Sequence, residues 1–487
     1  MIPGIGDRRL GGGVLEAGKE IDGFRLVERL HTGSMAVLWA VTRDDASMPM
    51  VMKVPRTREG DDPAAIVGFE VEQMILPRLS GPHVPRFVAA AGFDAPQPYL
   101  VMERLDGPTL RPRLDDAPLP PDEVAAIGAR VADALHDLHR QHVSHLDLKP
   151  SQVLMRPGGV AALVDFGLSR HDRLPDLLAE EFRLPMGTGP YISPEQVRGH
   201  RDDPRSDLFA LGVMLYHLAT GVRPFGFPQT VRGLRRRLWR DPVPPRAIRP
   251  GCPPWLQEVV LGCLEVDPSD RWQTAGQVAL LLRHPDQVPL GPRAARSRRD
   301  GWRTVLRRRF RSLGAEPQQA APVARHLAAA PIVMVAVDLS KGVDALAESL
   351  RETTRRVITS QPSARLACVT VLKVARIAND PMVDSEGRNL HVKGLGELAH
   401  WSRSLGLPPE RVTHHVLEAA DPAAAIVDYA RANQVDHVLL GARASSSLRR
   451  HLGSVSSQVV ASAPCSVTVV RVSGQAAIGQ AEPDPIG

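Results

Sequence analysis

Two short polar segments set between apolar runs constrain this chain more than anything else in it. The first is His145-Leu146-Asp147-Leu148-Lys149-Pro150-Ser151-Gln152, and the second is Asp165-Phe166-Gly167. Together they place two carboxylates, an ammonium and a side-chain amide in loops bounded by segments that must be buried. The approach is helical: from Asp122 to His142 apolar residues fall at Val124, Ile127, Val131, Leu135 and Leu138, the period of a helix with one buried face. Charged groups held at the edge of a core are costly unless they serve one another or a ligand.

This donor set suits phosphoryl transfer from a metal-bound nucleotide. An acid must orient the attacking hydroxyl, a cation must sit on the moving phosphate, and oxygens must hold Mg²⁺. Further segments fall in order around it. Phe24-Arg25-Leu26-Val27 and Ala36-Val37-Leu38-Trp39-Ala40 read as strands joined by a turn at His31-Thr32-Gly33-Ser34. Met50-Val51-Met52-Lys53-Val54 is an apolar strand carrying one lysine, and the helical run Phe69 to Leu76 offers Glu70 and Glu72 as its partner. Tyr99-Leu100-Val101-Met102-Glu103-Arg104-Leu105-Asp106-Gly107 reads as a buried strand entering a turn.

In order, spacing and apolar flanks, these segments resemble the eukaryotic-type protein kinases over about residues 22–283. The resemblance implies an α+β bilobal kinase fold, with ATP and Mg²⁺ as cofactors. It makes Asp147 the catalytic acceptor of the substrate hydroxyl's proton and Lys149 the cation on the γ-phosphoryl oxygens. Asp165 and Gln152 become the metal ligands. Lys53, paired with Glu72 by the family spacing, holds the nucleotide phosphates under a lid of which only Gly33 remains glycine. Met102 becomes the gatekeeper, and Glu103 and Leu105 supply backbone groups to the adenine. Lys149 together with Thr188, in Gly187-Thr188-Gly189-Pro190-Tyr191, resembles the serine/threonine class rather than the tyrosine class. Ser193-Pro194-Glu195 resembles the close of the activation segment, Arg271 its buried partner, and Asp207 the acid that braces the catalytic loop.

Two departures carry expectations. Gln152 stands where the family has asparagine; its extra methylene must fold back to reach a cation whose oxygens lie at ~2.0–2.1 Å. A weaker enzyme or a shift toward Mn²⁺ follows. Leu146 replaces the arginine that receives a phosphorylated activation loop, and between Gly167 and Gly187 the only hydroxyl residue is Ser169. Control is therefore expected to come from something other than loop phosphorylation. The rival reading is a nucleotide-binding pseudokinase acting as a scaffold or sensor, favoured by Gln152 and the depleted lid.

At 487 residues the chain is too long for one core. Residues 1–20 read as a flexible tail, 21–284 as the kinase domain and 285–330 as a basic Pro/Arg-rich linker. The net charge of +6 is concentrated in this linker, where Arg293 to Arg311 includes a single acid, Asp300. Trp302, Val305, Leu306, Phe310 and Leu313 lie near helical spacing, so a basic amphipathic helix fits. A solvated linker is the plainest reading of 293–313, contact with an anionic membrane the next; docking on an acidic face of the protein itself is a further alternative, and nucleic acid is not expected. The four cysteines, Cys252, Cys263, Cys368 and Cys465, show neither metal-ligand spacing nor a disulfide framework. No run approaches the ~20 apolar residues of a membrane span, and the first residues lack an apolar secretory core, so a cytoplasmic location is expected.

From Pro331 strands and helices alternate, which implies a parallel sheet covered on both faces. Val335-Ala336-Val337-Asp338, the run Gly441-Ala442-Arg443-Ala444-Ser445 to Leu452-Gly453-Ser454, and Ala463-Pro464-Cys465 resemble the universal stress protein family. That implies a Rossmann-like α/β domain with a five-stranded sheet over 331–472, and a tail at 473–487. A second nucleotide site at Asp338, Gly441, Gly453 and Ser454 is one expectation; a dimerising or sensing module that pairs two copies is the other. Protein substrates are not legible from the sequence.

Overall fold

Alternating apolar and polar residues in the first hundred positions fold into an antiparallel sheet. The computed structural model describes residues 15–33, 35–56, 63–298, 301–313, 330–339, 344–374, 383–384, 389–442 and 453–471. Its main division into two compact units falls between Ala329 and Ala330.

The first unit opens with β1 (Glu20–Ile21), β2 (Phe24–Thr32), β3 (Ala36–Arg43), β4 (Ala46–Pro55), β5 (Phe87–Ala91) and β6 (Tyr99–Glu103), in the spatial order β1-β2-β3-β4-β6-β5. Residues 18–20 already join this sheet, because Gly18 and Leu26 exchange backbone bonds with Leu26 and Lys19; the start of the domain therefore lies slightly before residue 21, and residues 1–14 lie outside the described residues. Phe24, Leu26, Trp39, Met52 and Val101 close one side of the sheet. Helix α1 (Pro63–Ile75) brings Val67, Val71 and Ile75 into the larger core that includes Leu100 and Met102.

The rest of the unit is mainly helical. Pro121 opens α2 (Pro121–Arg140), with Asp122 and Glu123 in its first turn and His139 and Arg140 in its last, which suits the helix dipole at both ends. Short pairs follow: β7 (Val143–Ser144) with β10 (Arg170–His171), and β8 (Val153–Met155) with β9 (Ala161–Leu163). The loops between these strands hold the two polar segments. Beyond them lie α3 (Leu177–Glu181), α4 (Pro194–Val197) and α5 (Arg205–Thr220), then α6 (Val231–Arg235), α7 (Pro245–Ile248), α8 (Pro254–Cys263) and α9 (Ala275–Arg283). Helix α4 starts on a capping box in which Ser193 and Gln196 bond each other's backbone. Val131, Leu135, Leu215, Val260 and Leu282 belong to one continuous core.

The expected linker start at 285 needs correction. Val288 and Ala294 are buried, Gln257 Nε2 donates to the carbonyls of Arg293, Ala294 and Arg296, and Glu258 accepts from the Gly291 and Ala294 N–H groups. Composition reads as linker because the attachment runs through backbone groups that any sequence carries. Helix α10 (Pro292–Ala295) lies in this stretch, and α11 (Trp302–Leu313) follows. Arg296 and Arg308 both pair with Asp241, at 2.9 and 2.8 Å, which supports docking on the protein itself over a free linker. Residues 314–329 lie outside the described residues.

The second unit alternates as expected: β11 (Ile332–Ala336), α12 (Asp344–Ser360), β12 (Arg365–Lys373), α13 (Leu390–Arg403), β13 (Val412–Ala419), α14 (Pro422–Ala432), β14 (His437–Gly441), α15 (Ser454–Ser462) and β15 (Ser466–Val470). All neighbours in the order β13-β12-β11-β14-β15 are parallel. The buried run Leu366 to Thr370 is apolar on both faces apart from its final threonine, as a covered parallel strand requires. Strand β15 is an edge. Among the described residues no helix is long and apolar enough to cross a membrane.

Candidate active site

Lys53 projects from β4 between two acids. Its Nζ lies 2.5 Å from Glu72 Oε2 on α1 and 3.1 Å from Asp165 Oδ1. Glu72, rather than Glu70, makes the pair because it falls one turn beyond Gly68. A Cβ on Gly68 would stand 3.0 Å from the Gly167 carbonyl, and one on Gly167 3.2 Å from the Gly68 carbonyl. Two glycines thus let α1 touch the Asp165-Phe166-Gly167 loop backbone to backbone. Glu72 Oε1 also accepts from the Phe166 N–H at 3.3 Å.

The charges tune one another. Burial disfavours the Lys53 ammonium, but Asp165 and Glu72 outweigh it and hold its pKa above the ordinary lysine range. Lys53 in turn pulls the Asp165 carboxyl far below the usual carboxylate range, against partial burial. Burial pushes Glu72 upward in spite of Lys53. Asp165 therefore stays an anion at neutral pH, half exposed to the cleft.

The catalytic loop is held by its backbone. Leu146 and Asp165 adopt φ of 60° and 68°, a left-handed conformation that a bulky leucine rarely takes. Asp207, at the first turn of α5, accepts from the His145 and Leu146 N–H groups at 2.8 Å each, and Gln196 Nε2 donates to the Leu146 carbonyl at 2.7 Å. Clamped on both sides, the strained residue turns Asp147 inward. Asp147 Oδ1 accepts from the Thr188 N–H (2.6 Å) and hydroxyl (2.8 Å), and Oδ2 from Lys149 Nζ (2.6 Å). Lys149 Nζ also reaches the Thr188 hydroxyl at 3.1 Å.

The Gln152 amide lies against both acids. Its Nε2 donates to Asp147 Oδ2 at 3.1 Å and to Asp165 Oδ2 at 3.0 Å, while its buried Oε1 has no hydrogen-bond partner among the described residues. A partnerless buried oxygen beside an ionised carboxylate is a donor set that fits a hard divalent cation, with nucleotide phosphates completing the shell.

At the far end of the cleft, Met102 is buried in the core and lies on β6 beside Leu100. Of the two hinge residues, Glu103 has already spent its N–H on the Arg86 carbonyl (2.8 Å), which leaves its carbonyl for a ligand. The Leu105 N–H has no partner among the described residues. The Glu103 carboxylate binds Arg156, at 2.8 and 3.2 Å, and the Arg86 N–H, so a strut crosses from the hinge to the helical lobe. Gly33 differs from expectation. Its N–H is used by the Ala36 carbonyl at 2.9 Å, and its own carbonyl by Arg56 at 2.8 Å, so it closes the hairpin rather than offering a free donor. Ser34 lies outside the described residues.

Sequence reasoning missed the anchor of the activation segment. Asp176 caps α3 through the Ala179 N–H and receives Arg201 Nε at 2.9 and 3.3 Å, with Arg170 at 3.7 Å. Arg201 also donates to the Leu168 carbonyl at 3.0 Å. Ser169, the one hydroxyl of the loop, is buried and donates to the His145 carbonyl at 3.1 Å. A carboxylate thus occupies the kind of arginine setting that phosphate takes when it orders such a segment.

Asp207 gives a pH prediction. Burial opposes its ionisation, but the His139 ring at 2.9 Å and the His145 N–H hold its carboxyl below the ordinary aspartate range. A depressed folded pKa gives stability that is complete above the unfolded value of about 3.9 and is lost as pH falls through the folded one. Asp207→Asn should be less stable than wild type at pH 7, and urea titrations should show the gap narrowing below pH ~4. A gap that stays constant through this range would contradict the assignment.

In the second unit Asp338 lies just beyond β11 and Gly441 ends β14, the two strands between which the chain order reverses, where open parallel sheets bind ligands. Gly453 and Ser454 begin α15, and Ser456 Oγ donates to the Gly441 carbonyl at 3.2 Å. Residues 443–452, the remainder of the expected cradle, lie outside the described residues.

Comparison with known proteins agrees with both halves. Residues 24–285 match the family described as protein kinase domain, and residues 331–471 match the universal stress protein family. Serine/threonine-protein kinase PknB of Mycobacterium leprae is 31% identical over 278 residues, covering 56% of this chain and 44% of that protein. PknL of Mycobacterium tuberculosis is 35% identical over 228 residues, covering 47% of this chain and 56% of the relative. The chain thus spans about half the length of these curated relatives. The crystal structure of the Mycobacterium tuberculosis PknI kinase domain aligns with a TM-score of 0.43 at 25% identity, over 56% of this chain and 99% of that one.

Proposed function

The chain belongs to the protein kinase family, and we propose that it transfers the γ-phosphoryl group of ATP to serine or threonine hydroxyls of proteins. The observation that carries this reading is the gathering of Lys53, Glu72 and Asp165 on one side of the cleft and Asp147, Lys149 and Thr188 on the other. Lys53, kept cationic by two acids, holds the α- and β-phosphates. Asp165 and the Gln152 oxygen are the residues that would hold Mg²⁺ or Mn²⁺. The cation, when bound, neutralises phosphate charge and aligns the γ-phosphoryl group. Asp147 exchanges one of its Thr188 bonds for the acceptor hydroxyl and takes its proton late. Lys149 stays beside that carboxylate and places positive charge where the phosphoryl oxygens arrive.

The activation segment needs no phosphate in this reading, because Asp176, Arg201 and Arg170 already tie it down. The C-terminal unit serves as a regulatory module, with nucleotide at Asp338, Gly441, Gly453 and Ser454 and pairing of two copies through the β15 edge as its proposed properties. A second reading, nucleotide binding without transfer, is favoured by the engaged Gly33 N–H and by Gln152.

The full chain incubated with γ-labelled ATP and Mg²⁺ or Mn²⁺ should label a protein substrate or itself. Prior phosphatase treatment should leave the rate within about twofold, whereas Asp176→Ala should lower it about tenfold, the weight of a lost charge-assisted bond. Nucleotide binding with no label under either cation would establish the second reading. Strict dependence on a phosphorylated loop would remove the role given to Asp176.

A further inference from the structure

Beside the activation segment the first unit carries a cleft of about 1580 Å³ that the phosphoryl-transfer site does not use. Among the described residues eight arginines line it and a single carboxylate, Asp241. That carboxylate is already taken by Arg296 and Arg308. Arg232, Arg235, Arg236 and Arg240, on α6 and the turn after it, are exposed and form no ion pair among the described residues. Arg235 and Arg236 stand three and four positions from Arg232, so like charges neighbour one another along α6 and the turn after it, an arrangement that costs stability in isolation. Exposed Leu184, Val231 and Leu306 supply apolar wall between the cations.

The cleft is wired to the catalytic loop. Arg237, between these arginines, is buried, with its pKa pushed down to about 10 by that burial. It donates to the Gly189 carbonyl at 2.7 Å and to the Ile192 carbonyl. Gly189 follows Thr188, whose N–H and hydroxyl are bonded to Asp147. The floor of the cleft is therefore joined, through the backbone of residues 188–192, to the hydroxyl-accepting carboxylate.

We propose that this cleft receives an acidic segment of the protein substrate, so that the enzyme selects serines and threonines flanked by aspartate or glutamate. The inference rests on the kinase reading above and names its substrate class. Charge complementarity selects the occupant: unpaired guanidinium groups match carboxylates bidentately. A concave cleft with apolar walls between its cations suits an extended chain, whereas a flat bilayer meets only protruding groups.

The test uses the full chain and two readouts. Fluorescence anisotropy measures binding of Glu/Asp-rich peptides and of neutral and Lys-rich ones, and labelled ATP measures transfer to serine within each. Wild type should bind and phosphorylate the acidic series best, with affinity falling as salt rises. Arg232→Glu/Arg235→Glu should raise KM for acidic peptides at least about tenfold while kcat changes less than about twofold, the pattern of lost uniform binding. Arg236→Gln/Arg240→Gln should act in the same direction and covers a misfolded first variant. No preference for acidic peptides in the binding assay overturns the proposal, whatever the transfer assay gives. Acidic-peptide binding that both variants lose, with no transfer in wild type, upholds the cleft and overturns the kinase reading instead. Capture of phosphatidylserine vesicles, lost in Arg232→Glu/Arg235→Glu and without acidic-peptide binding, assigns the surface to a membrane and overturns the proposal.

Discussion

Asp147→Asn should cut phosphoryl transfer by about 10² to 10⁴-fold, the usual weight of a positioned general base, while nucleotide affinity stays within about threefold. The expectation follows from what surrounds the carboxylate. Both oxygens accept: Thr188 donates twice to Oδ1, and Lys149 and Gln152 donate to Oδ2. An amide of the same shape puts an NH₂ against one of these donor pairs, so it can neither take a proton nor keep all four bonds. The nucleotide contacts proposed for Lys53 and Asp165 lie on other elements and should persist. Steady-state rates and equilibrium nucleotide binding on the same preparation decide the matter. A variant that retains a tenth of wild-type turnover would show that Asp147 is not the group that takes the proton.

Arg271→Ala should destabilise the first unit by about 3–5 kcal/mol, the cost of leaving a buried charge without its partner. Arg271 and Glu195 form a two-bonded pair at 2.6 Å for each contact, and both are buried. Arg271 also donates to the Glu265, Arg205 and Val266 carbonyls and lies 5.2 Å from the Phe209 ring centre, while Ser206 donates to Glu195 at 2.7 Å. Removing the guanidinium strands a carboxylate and several carbonyls together. Against a total stability of ~5–15 kcal/mol for a typical domain, this approaches loss of the fold. Replacing both partners by apolar residues, Glu195→Leu with Arg271→Met, should recover part of the loss because no charge is left buried. Urea denaturation of the three proteins measures it. Equal losses in the single and double variants would mean that the hydrogen bonds to carbonyls, rather than the ion pair, hold the segment.

How much of this was legible beforehand depended on distance along the chain. Asp147, Lys149 and Gln152 sit within six residues, so spacing alone placed them in one loop. Lys53 with Glu72 was readable because the resemblance to kinases supplied the spacing that chose Glu72 over Glu70. Gln152 was expected to bring its oxygen to the cation by folding back, whereas the nitrogen end of its amide is the one that donates to Asp165. Asp176 with Arg201, and Arg237 with the carbonyls of Gly189 and Ile192, gave no signal. Their partners are tens of residues apart, and half of them are backbone atoms that no side-chain pattern reveals. The attachment of residues 288–296 was hidden for the same reason, under a composition that reads as spacer. In the second unit alternation sufficed for a parallel sheet covered by helices, whereas the order β13-β12-β11-β14-β15 came only from the structure, because alternation says which strands are parallel and not which are neighbours.

The Glu103–Arg156 strut has a bearing on tempo. It fastens the end of β6 to Arg156, just beyond β8, and an ion pair of middling exposure holds with a strength of order 1 kcal/mol. Such a catch would slow a parting of the two lobes without forbidding it. Under the proposed reaction ADP would leave while they are parted, so the pace of successive turnovers would answer in part to a contact that never meets the phosphates.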